Sequence, residues 1–365
     1  MHTIFQGYTL LHADTPVFFA GANTGRGFVG AYDTFAMEED KGHIWILKGG
    51  SGTGKSTLMH KVATEAEEAG HSCVRYLCSS DPLSLDAVVM DGRYVLLDGT
   101  APHVWEMTYP GAVSEIVYLG KYWHSEKLAE HRGEILSLTQ SKKESYGNGY
   151  GVLAAISALE AETYQTAYSL LDMEKLRRWG ERLLHKVPKD TRNGGCTTVR
   201  TWSIGMRGLY RTDGLACGVT QHWHIADAYS TALWLFAVLA ELCQQAQIPV
   251  VLSLHPINDR IVEMVIPALS LHLTLAETDA DAGKTICMQR FLRKELPDGV
   301  KGSIRLTHRL MTEMLALALA HFAKAGDAHM TLETIYKSAM DFPRLNREMA
   351  VFRKQLLSVY RNVEA

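Results

Sequence analysis

The sequence has no closely paired cysteines and no large excess of charge of either sign. Its six cysteines are scattered along the chain, a spacing that fits reduced, cytosolic thiols better than a disulfide framework. The formal net charge is −3, so no global basic field favours binding to nucleic acid or to an anionic membrane surface. Neither nucleic acid nor membrane is therefore an expected partner.

The sequence also lacks a long uninterrupted hydrophobic run. Its most apolar stretch, residues 230–254, is broken by Glu241, Gln244 and Pro249, so we do not expect it to span a membrane. The first residues show no basic region followed by an apolar run, so we expect no signal peptide and a cytoplasmic location. With 365 residues, 47% of them hydrophobic, the composition is that of a globular protein with two or three domains.

The most informative stretch is HIWILKGGSGTGKSTLMHK, residues 43–61. An apolar strand-like run (44–47) leads into a glycine-rich loop (residues 49–54) and then into a helical pattern (56–63). Residues 49–56 match the complete P-loop pattern, in which successive backbone N–H groups surround phosphate oxygens and glycine avoids Cβ clashes. The predicted nucleotide-binding residues are Gly49, Gly50, Ser51, Gly52, Thr53, Gly54, Lys55, Ser56 and Thr57.

Specific roles follow from the chemistry of these side chains. Lys55 supplies a charge to the β- and γ-phosphates, and Ser56 supplies a hydroxyl to Mg²⁺. Asp98 ends the apolar run 93–99, where a carboxylate could hold Mg²⁺ beside Ser56; alternatively it only opens an Asp-Gly turn. We therefore predict Lys55 and Asp98 as catalytic, and Ser56 and Asp98 as Mg²⁺ ligands. No Asn-Lys-x-Asp guanine motif is present.

The general base is not evident from the sequence. Gly99 follows Asp98, at a position where many ATPases carry a glutamate. Asp81, His103 and Glu115 are candidates, although each could equally be a turn, cap or surface residue.

Residues 120–188 show three helical patterns and predict a helical hairpin. The stretch SYGNGYG (145–151) predicts a flexible turn that interrupts them, and residues 83–89 predict a short helix or turn. As a lid, the hairpin could bring cations to a phosphate; otherwise these residues form a solvated charged face. The cations concerned are Lys142, Lys143, Arg177 and Arg178.

The chain resembles itself at an offset of 177 residues, where 58–97 align without gaps on 235–274 with seven identities. The glycine-rich loop aligns with ADAYSTALW (226–234), which has neither glycine nor lysine. There we expect Tyr229 to fill the phosphate position and Asp227 to cap the following helix. The equivalent of the Asp98 strand ends at Thr274-Leu275, without an acid.

These observations predict a duplicated α/β fold, in which each copy is a P-loop NTPase domain with a three-layer parallel sheet and an appended helical hairpin. The first domain is expected at 1–190, with its helical insertion at about 121–190. A degenerate second domain is expected at 191–365, with C-terminal helices at about 303–365.

A histidine cluster in the second half is a weaker candidate site. His222 and His224 lie on one face of a predicted strand, with Cys217 and His255 nearby in the pattern. The spacing matches no standard zinc motif, so structural roles are expected.

The chain resembles uncharacterised bacterial ATPases, found mainly in Firmicutes, that carry two tandem P-loop domains. The resemblance is strong in 18–123 and faint in 198–275. Its segments are 18–33, 47–59, 78–89, 96–104, 109–123 and 338–342. In that group both halves usually keep a P-loop, and this sequence departs from the group there. The resemblance implies ATP binding and hydrolysis.

We therefore expect a Mg²⁺-dependent ATPase with one nucleotide site. A second reading is a small-molecule or nucleotide kinase, with Asp81 or His103 at the acceptor site and the helical hairpin as its lid. A third is a nucleotide-gated interaction module without turnover, in which the degenerate half binds a protein partner.

Overall fold

The computed structural model describes residues 7–102, 105–275, 283–294 and 299–361. In chain order the strands are β1 (Thr9–Leu11), β2 (Val17–Phe19), β3 (Gly21–Thr24), β4 (Gly27–Gly30), β5 (His43–Lys48), β6 (Cys73–Leu77), β7 (Leu85–Met90), β8 (Tyr94–Asp98), β9 (Ser114–Tyr118), β10 (Cys196–Val199), β11 (Trp202–Gly205), β12 (Gly208–Thr212), β13 (Gln221–Ala226), β14 (Val250–Leu254), β15 (Ile261–Ile266), β16 (Leu271–Thr274) and β17 (Lys284–Cys287). The α-helices are α1 (Lys55–Glu68), α2 (Ser125–Glu130), α3 (Arg132–Leu170), α4 (Met173–Leu184), α5 (Ala232–Gln245), α6 (Val300–Ser338) and α7 (Phe342–Arg361).

The fold is mixed α/β and contains two six-stranded sheets of the same topology. The first has the order β2-β6-β7-β8-β5-β9 and the second β10-β14-β15-β16-β13-β17. In each sheet all neighbours are parallel except the third strand, β7 or β15, which is antiparallel to both of its neighbours. The offset of 177 residues relates α1 to α5 and β6 to β14.

The antiparallel strand β7 corrects two expectations. Residues 83–89 were expected to form a short helix or turn, and the sheet was expected to be parallel. Instead, Leu85–Met90 form a strand in which every residue is buried. The β-branched Val88 and Val89 favour an extended backbone, and full burial inside the sheet decides between strand and turn.

Helices cover the outer face of each sheet, while the inner faces share one apolar cluster. Ile44, Ile46 and Val95 of the first sheet belong to the same cluster as Val199 and Val265 of the second. The two sheets are therefore joined through a common core.

The C-terminal helix of each half packs on the sheet of the other half. Leu176 and Leu183 of α4 belong to the core of the second sheet, whereas Leu345 and Met349 of α7 belong to the core of the first. Isolated bridges join Leu171 to Leu292 and Trp123 to Met340 in the same crossed manner. Each half of the chain, divided at the predicted boundary near residue 190, therefore contributes a helix to the core of the other half.

The predicted break at 145–151 is wrong, because α3 runs without interruption through it. Both α3 and α6 have 39 residues and pack side by side. A Cβ at Gly149 would lie 2.5 Å from Cε1 of Phe322 on α6. The glycines lower helix propensity, but Gly149 permits this close approach, and the packing outweighs the propensity.

Two small sheets complete the fold. Strands β1, β12 and β11 form a three-stranded sheet, and β3 and β4 form a hairpin. In the part of the chain that the structure describes, no helix combines the length and apolarity needed to cross a bilayer.

Candidate functional site

The glycine-rich loop connects the end of β5 to the start of α1. Gly52 and Gly54 have φ of +72° and +84°, in the left-handed region where a Cβ is unfavourable. No side chain caps the start of α1 at Gly54. The loop therefore has a backbone that glycine makes possible, and it presents an uncapped helix N-terminus.

Lys55 lies across the base of this loop. Its Nζ donates to the carbonyl oxygens of Gly49 at 2.7 Å and Gly50 at 2.9 Å. Nζ also lies 3.5 Å from Oδ2 of Asp98, and the two side chains are 11% and 13% exposed. The structure thus brings both predicted catalytic residues together in a sheltered ion pair.

Asp98 has one of the two roles that the sequence left as alternatives, that of a turn residue, and it also faces Lys55. Its Oδ1 accepts a hydrogen bond from the backbone N–H of Thr100 at 2.8 Å, so it does open a turn. Its Oδ2 is the oxygen that faces Lys55. Thr100 in turn donates through Oγ1 to the carbonyl of Gly49 at 2.7 Å, which ties the turn after β8 to the start of the glycine-rich loop.

Ser56 adjoins the start of β7, where a second buried carboxylate lies. The hydroxyl oxygen of Ser56 accepts from the N–H of Leu85 at 3.0 Å, which leaves its proton and one lone pair for other partners. Asp86 follows and is 3% exposed. Strands β7 and β8 are antiparallel and pair Ala87 with Leu97. The next position along the two strands therefore sets Asp86 opposite Asp98.

Both carboxylates also influence one neighbouring group, the hydroxyl of Tyr32. Burial raises the pKa of Tyr32 well above its usual value, and the charges of Asp86 and Asp98 raise it further. The sequence prediction missed Asp86 because its segment was expected to be a helix or turn. A single acid within the apolar run LDAVVM was the signal that could have identified it.

The sequence candidates for a general base are placed differently. Asp81 forms an ion pair with Arg207, with an Nε to Oδ1 distance of 2.6 Å. Glu115 is half exposed on β9, opposite Trp45, and is not brought to the loop. His103 lies outside the described residues. At Gly99 a Cβ would lie 2.4 Å from Cγ2 of Ile46, so this position cannot carry a glutamate without rearrangement.

Helices from the second half of the chain cover the glycine-rich loop. A Cβ at Gly52 would lie 2.9 Å from the carbonyl oxygen of Glu333 and 2.9 Å from Cγ of Lys337, both on α6. A Cβ at Gly54 would lie 3.6 Å from Cδ2 of Leu345 on α7. The crossed packing of the helices therefore brings α6 and α7 onto the nucleotide motif of the first half.

The remaining predicted nucleotide-binding residues are Ser51, Thr53 and Thr57. Thr53 is buried and donates through Oγ1 to the carbonyl of Gly50 at 2.9 Å. Ser51 is partly buried at the loop tip, while Thr57 is exposed on α1.

Of the four lid cations considered, Lys142 is partly buried on α3. Burial lowers its pKa, and its charge, like that of Lys55, helps to lower the pKa of His329 on α6, for which burial is the larger cause. Arg177 instead contacts Glu241 of α5 at 3.1 Å. The other two, Lys143 and Arg178, are exposed.

The corresponding loop of the second half holds a carboxylate where the first has glycines. Asp227 accepts hydrogen bonds from the N–H of Tyr229 at 3.0 Å, Oγ1 of Thr231 at 2.7 Å and the N–H of Ala232 at 2.8 Å. Thr231 is the N-cap residue and Ala232 the first residue of α5, so Asp227 binds the first N–H of the helix, as expected, but from four residues before the N-cap position. A cavity of about 150 Å³ adjoins Asp227 and Tyr229, bordered by Gln289.

The histidine cluster does not assemble as a group. Nδ1 of His222 lies 3.5 Å from a nitrogen of His272, and His255 lies 3.4 Å from Glu160. Cys217 donates to the carbonyl of Ala13 at 3.2 Å. Over the described ranges, no three His, Cys, Asp or Glu side chains converge to hold a metal.

A comparison of the chain with models of known families, with curated proteins and with solved structures finds no match.

Proposed function

We propose that the chain is a Mg²⁺-dependent, ATP-binding P-loop NTPase that hydrolyses ATP at one site, formed around the glycine-rich loop of its first half. The second half is then a decayed copy of the same domain. The equal strand order of the two sheets supports this view, as does a register shift at the same place in both, between Tyr76 and Leu77 and between Ser253 and Leu254.

The observation that carries the proposal is the contrast between the two loops. Both connect the fifth strand of their sheet to the helix that follows it. The first combines left-handed glycines, an uncapped helix start and Lys55, which together favour an anion. In the second, the carboxylate of Asp227 already occupies the helix start. A phosphate would meet an acid there and no lysine.

The residues present fit Mg·ATP. The amides of the glycine-rich loop and Lys55 would hold the phosphates, and the hydroxyl of Ser56 with the carboxylate of Asp98 would hold Mg²⁺. Asp86, opposite Asp98, adds negative charge on the same side. When bound, Mg²⁺ neutralises charge that develops on the phosphoryl oxygens. Lys55 must then exchange its bonds to the loop carbonyls for bonds to phosphate.

All six cysteines are free thiols, which supports the reducing, cytoplasmic setting proposed with this function. The second half, without a phosphate grip of its own, is proposed to act on the first site through α6 and α7 and to offer surface to a protein partner.

The test is nucleotide binding and turnover by the purified protein, with Lys55→Ala as the variant. A ligand at ~100 times its dissociation constant stabilises the fold by roughly 2.7 kcal/mol. Mg·ATP should therefore raise the melting temperature of the wild type and have little effect on Lys55→Ala. Calorimetry with a non-hydrolysable ATP analogue should give one equivalent per chain.

Each alternative has its own result. Equal thermal shifts in both proteins would contradict the site assignment, and two equivalents would contradict the decayed second site. Phosphate transfer only with an added acceptor would indicate a kinase, and tight binding without turnover would indicate a gated interaction module.

A further inference from the structure

A turn of the second half reaches the first half beside the proposed nucleotide site. It joins β11 to β12 and comprises residues 205–208. The N–H of Met206 donates to the carbonyl of Ser80 at 3.0 Å, and a Cβ at Gly205 would lie 2.5 Å from the carbonyl oxygen of Ser79. The turn is therefore fixed against the segment that follows β6.

Arg207, at the tip of this turn, holds Asp81 of that segment. Its Nε lies 2.6 Å from Oδ1, with side chains 36% and 15% exposed. The segment leads into β7, whose first amide, that of Leu85, donates to Ser56. The carboxyl ends of the parallel strands β5, β6 and β8 meet at this edge of the sheet, so the pair of Arg207 and Asp81 lies at the same edge as the glycine-rich loop and Asp98.

Helix α6 connects the turn of Arg207 to the tip of the glycine-rich loop. The hydrogen bond to Asp81 is the main cause that raises the pKa of Arg207, and the charge of Glu333 is a further one. Cγ of Glu333 would lie 3.2 Å from a Cβ at Gly52. A Cβ at Gly326, also on α6, would lie 3.0 Å from Cβ of Met206, so α6 contacts both the turn that carries Arg207 and the loop that would surround the phosphates.

The molecule contains a matched pair elsewhere. Arg26, in the turn between β3 and β4, lies 2.6 Å from Asp259, which precedes β15. Each pair joins an arginine of one half to an aspartate of the other half. The aspartate of the Arg26 pair belongs to the half whose loop contains Asp227. Asp259 also forms an ion pair with Arg200, at 2.6 Å. Asp81 is 15% exposed and lies at the edge of the sheet that carries the glycine-rich loop.

We propose that Arg207 is the cation that the second half supplies to the transferring phosphoryl group, with Asp81 as its partner in the resting state. This inference rests on the proposed ATPase function. In the reaction, the oxygen of a water molecule bonds to the γ-phosphorus as the β–γ bridging P–O bond breaks. The bonding electron pair leaves with the diphosphate, and the water proton passes to the released phosphate or to solvent. Arg207 stabilises the charge on the phosphoryl oxygens during this exchange.

The experiment compares Arg207→Ala with Arg26→Ala in the full chain. Each variant breaks one crossed ion pair with the same 2.6 Å separation. Arg26 is the more exposed arginine and Asp259 keeps Arg200 as a partner, so the stability of each variant is measured and turnover is compared only under conditions where both are folded. An arginine at a transferring phosphoryl group contributes roughly 10³–10⁵ in turnover. We expect Arg207→Ala to lower ATP turnover at least about 100-fold and to change the dissociation constant of a non-hydrolysable ATP analogue only a few-fold, while Arg26→Ala changes neither.

A second readout separates a role in the transition state from a structural role. Mg·ADP with aluminium fluoride mimics the transferring phosphoryl group, so its affinity should fall in Arg207→Ala while the affinity for Mg·ADP alone is retained. Arg207→Lys, which keeps the charge but not the planar fork, should fold normally and recover part of the turnover. Melting temperatures of all variants check folding.

The outcomes are distinct. Equal turnover in Arg207→Ala and Arg26→Ala would overturn the role of Arg207 while leaving the ATPase proposal standing. The same holds if Arg207→Ala loses affinity equally for Mg·ADP with aluminium fluoride and for Mg·ADP alone. A wild type that binds Mg·ATP without hydrolysis and without affinity for the fluoride complex would also overturn it. Failure of the wild type to bind nucleotide would overturn the proposed function itself, and this inference with it.

Discussion

The contact between α6 and the glycine-rich loop leads to a specific prediction about stability. In Gly52→Ala the added methyl group would meet the carbonyl oxygen of Glu333 and Cγ of Lys337, each at 2.9 Å. The substitution also places an L-residue at φ +72°. Gly218→Ala is the matched control, because Gly218 has φ +73° and nothing within 4 Å of its added Cβ.

The magnitude follows from two separable terms. The left-handed backbone costs roughly 1–2 kcal/mol for a residue with a Cβ, and alanine returns about 0.4–1 kcal/mol by restricting the unfolded chain. These terms apply to both variants. Only Gly52→Ala adds the steric term, for which overpacking typically costs ~1–3 kcal/mol. Because one of the contacts is backbone, the side chains cannot relieve it simply by changing rotamer.

Urea denaturation of the two variants and the wild type measures this difference. We expect Gly52→Ala to lose about 1–3 kcal/mol more free energy of unfolding than Gly218→Ala. Equal losses would mean that α6 does not rest on the loop in solution, and the crossed packing at the site would then be refuted. A larger loss accompanied by a changed denaturant slope would not count as support, since it indicates a change in the unfolding process itself.

Two further predictions concern single carboxyl groups. Asp98→Asn should keep the turn bond to Thr100 but lower ATP turnover by more than about tenfold, because the Mg²⁺ ligand is weakened where charge develops. Nucleotide binding should change less than turnover. Unchanged turnover in a kinetic assay would leave Asp98 as a turn residue. Burial raises the pKa of Glu160 from 4.5 to about 8, while burial lowers that of His255 to about 3, so the two are not an ion pair at neutral pH. Between about pH 4.5 and 6.5 the proton that Glu160 keeps on folding is offset by the proton that His255 gives up, so the two groups together leave stability nearly independent of pH there. Between about pH 6.5 and 8 only Glu160 differs, the folded state binds more protons, and stability falls by about 1.4 kcal/mol per pH unit as pH rises. In Glu160→Gln this fall should disappear, and stability should instead rise with pH between about 4.5 and 6.5 in a profile measured by denaturation; an unchanged profile would contradict the assignment.

Several parts of the candidate site could be predicted because their signals are local. The strand, loop and helix around Lys55 follow from hydrophobic patterning and glycine placement within about twenty residues. Asp98 at the end of an apolar strand and Asp227 before a helix are likewise short-range patterns, and the structure has both where they were expected. The similar order of elements in the two halves was also detectable, since helices and strands recur at an offset of 177 residues.

Other parts could not be predicted, because they depend on contacts between distant segments. Asp86 was missed since burial on both faces, and not the local pattern, makes its segment a strand. The helix through Gly149 persists because α6 packs against it, which outweighs the weak propensity of its glycines.

The sequence by itself determined the class of elements, the glycine-rich loop and the lack of glycine and lysine in the aligned segment 226–234, because each rests on neighbouring residues and on backbone sterics. Only the tertiary structure decided what surrounds that loop. The crossing of α4 and α7 between the halves, the cover of Gly52 by α6, and the contact of Arg207 with Asp81 join residues that are distant in the sequence. Burying the apolar faces of both sheets and of both long helices at once is what selects that arrangement.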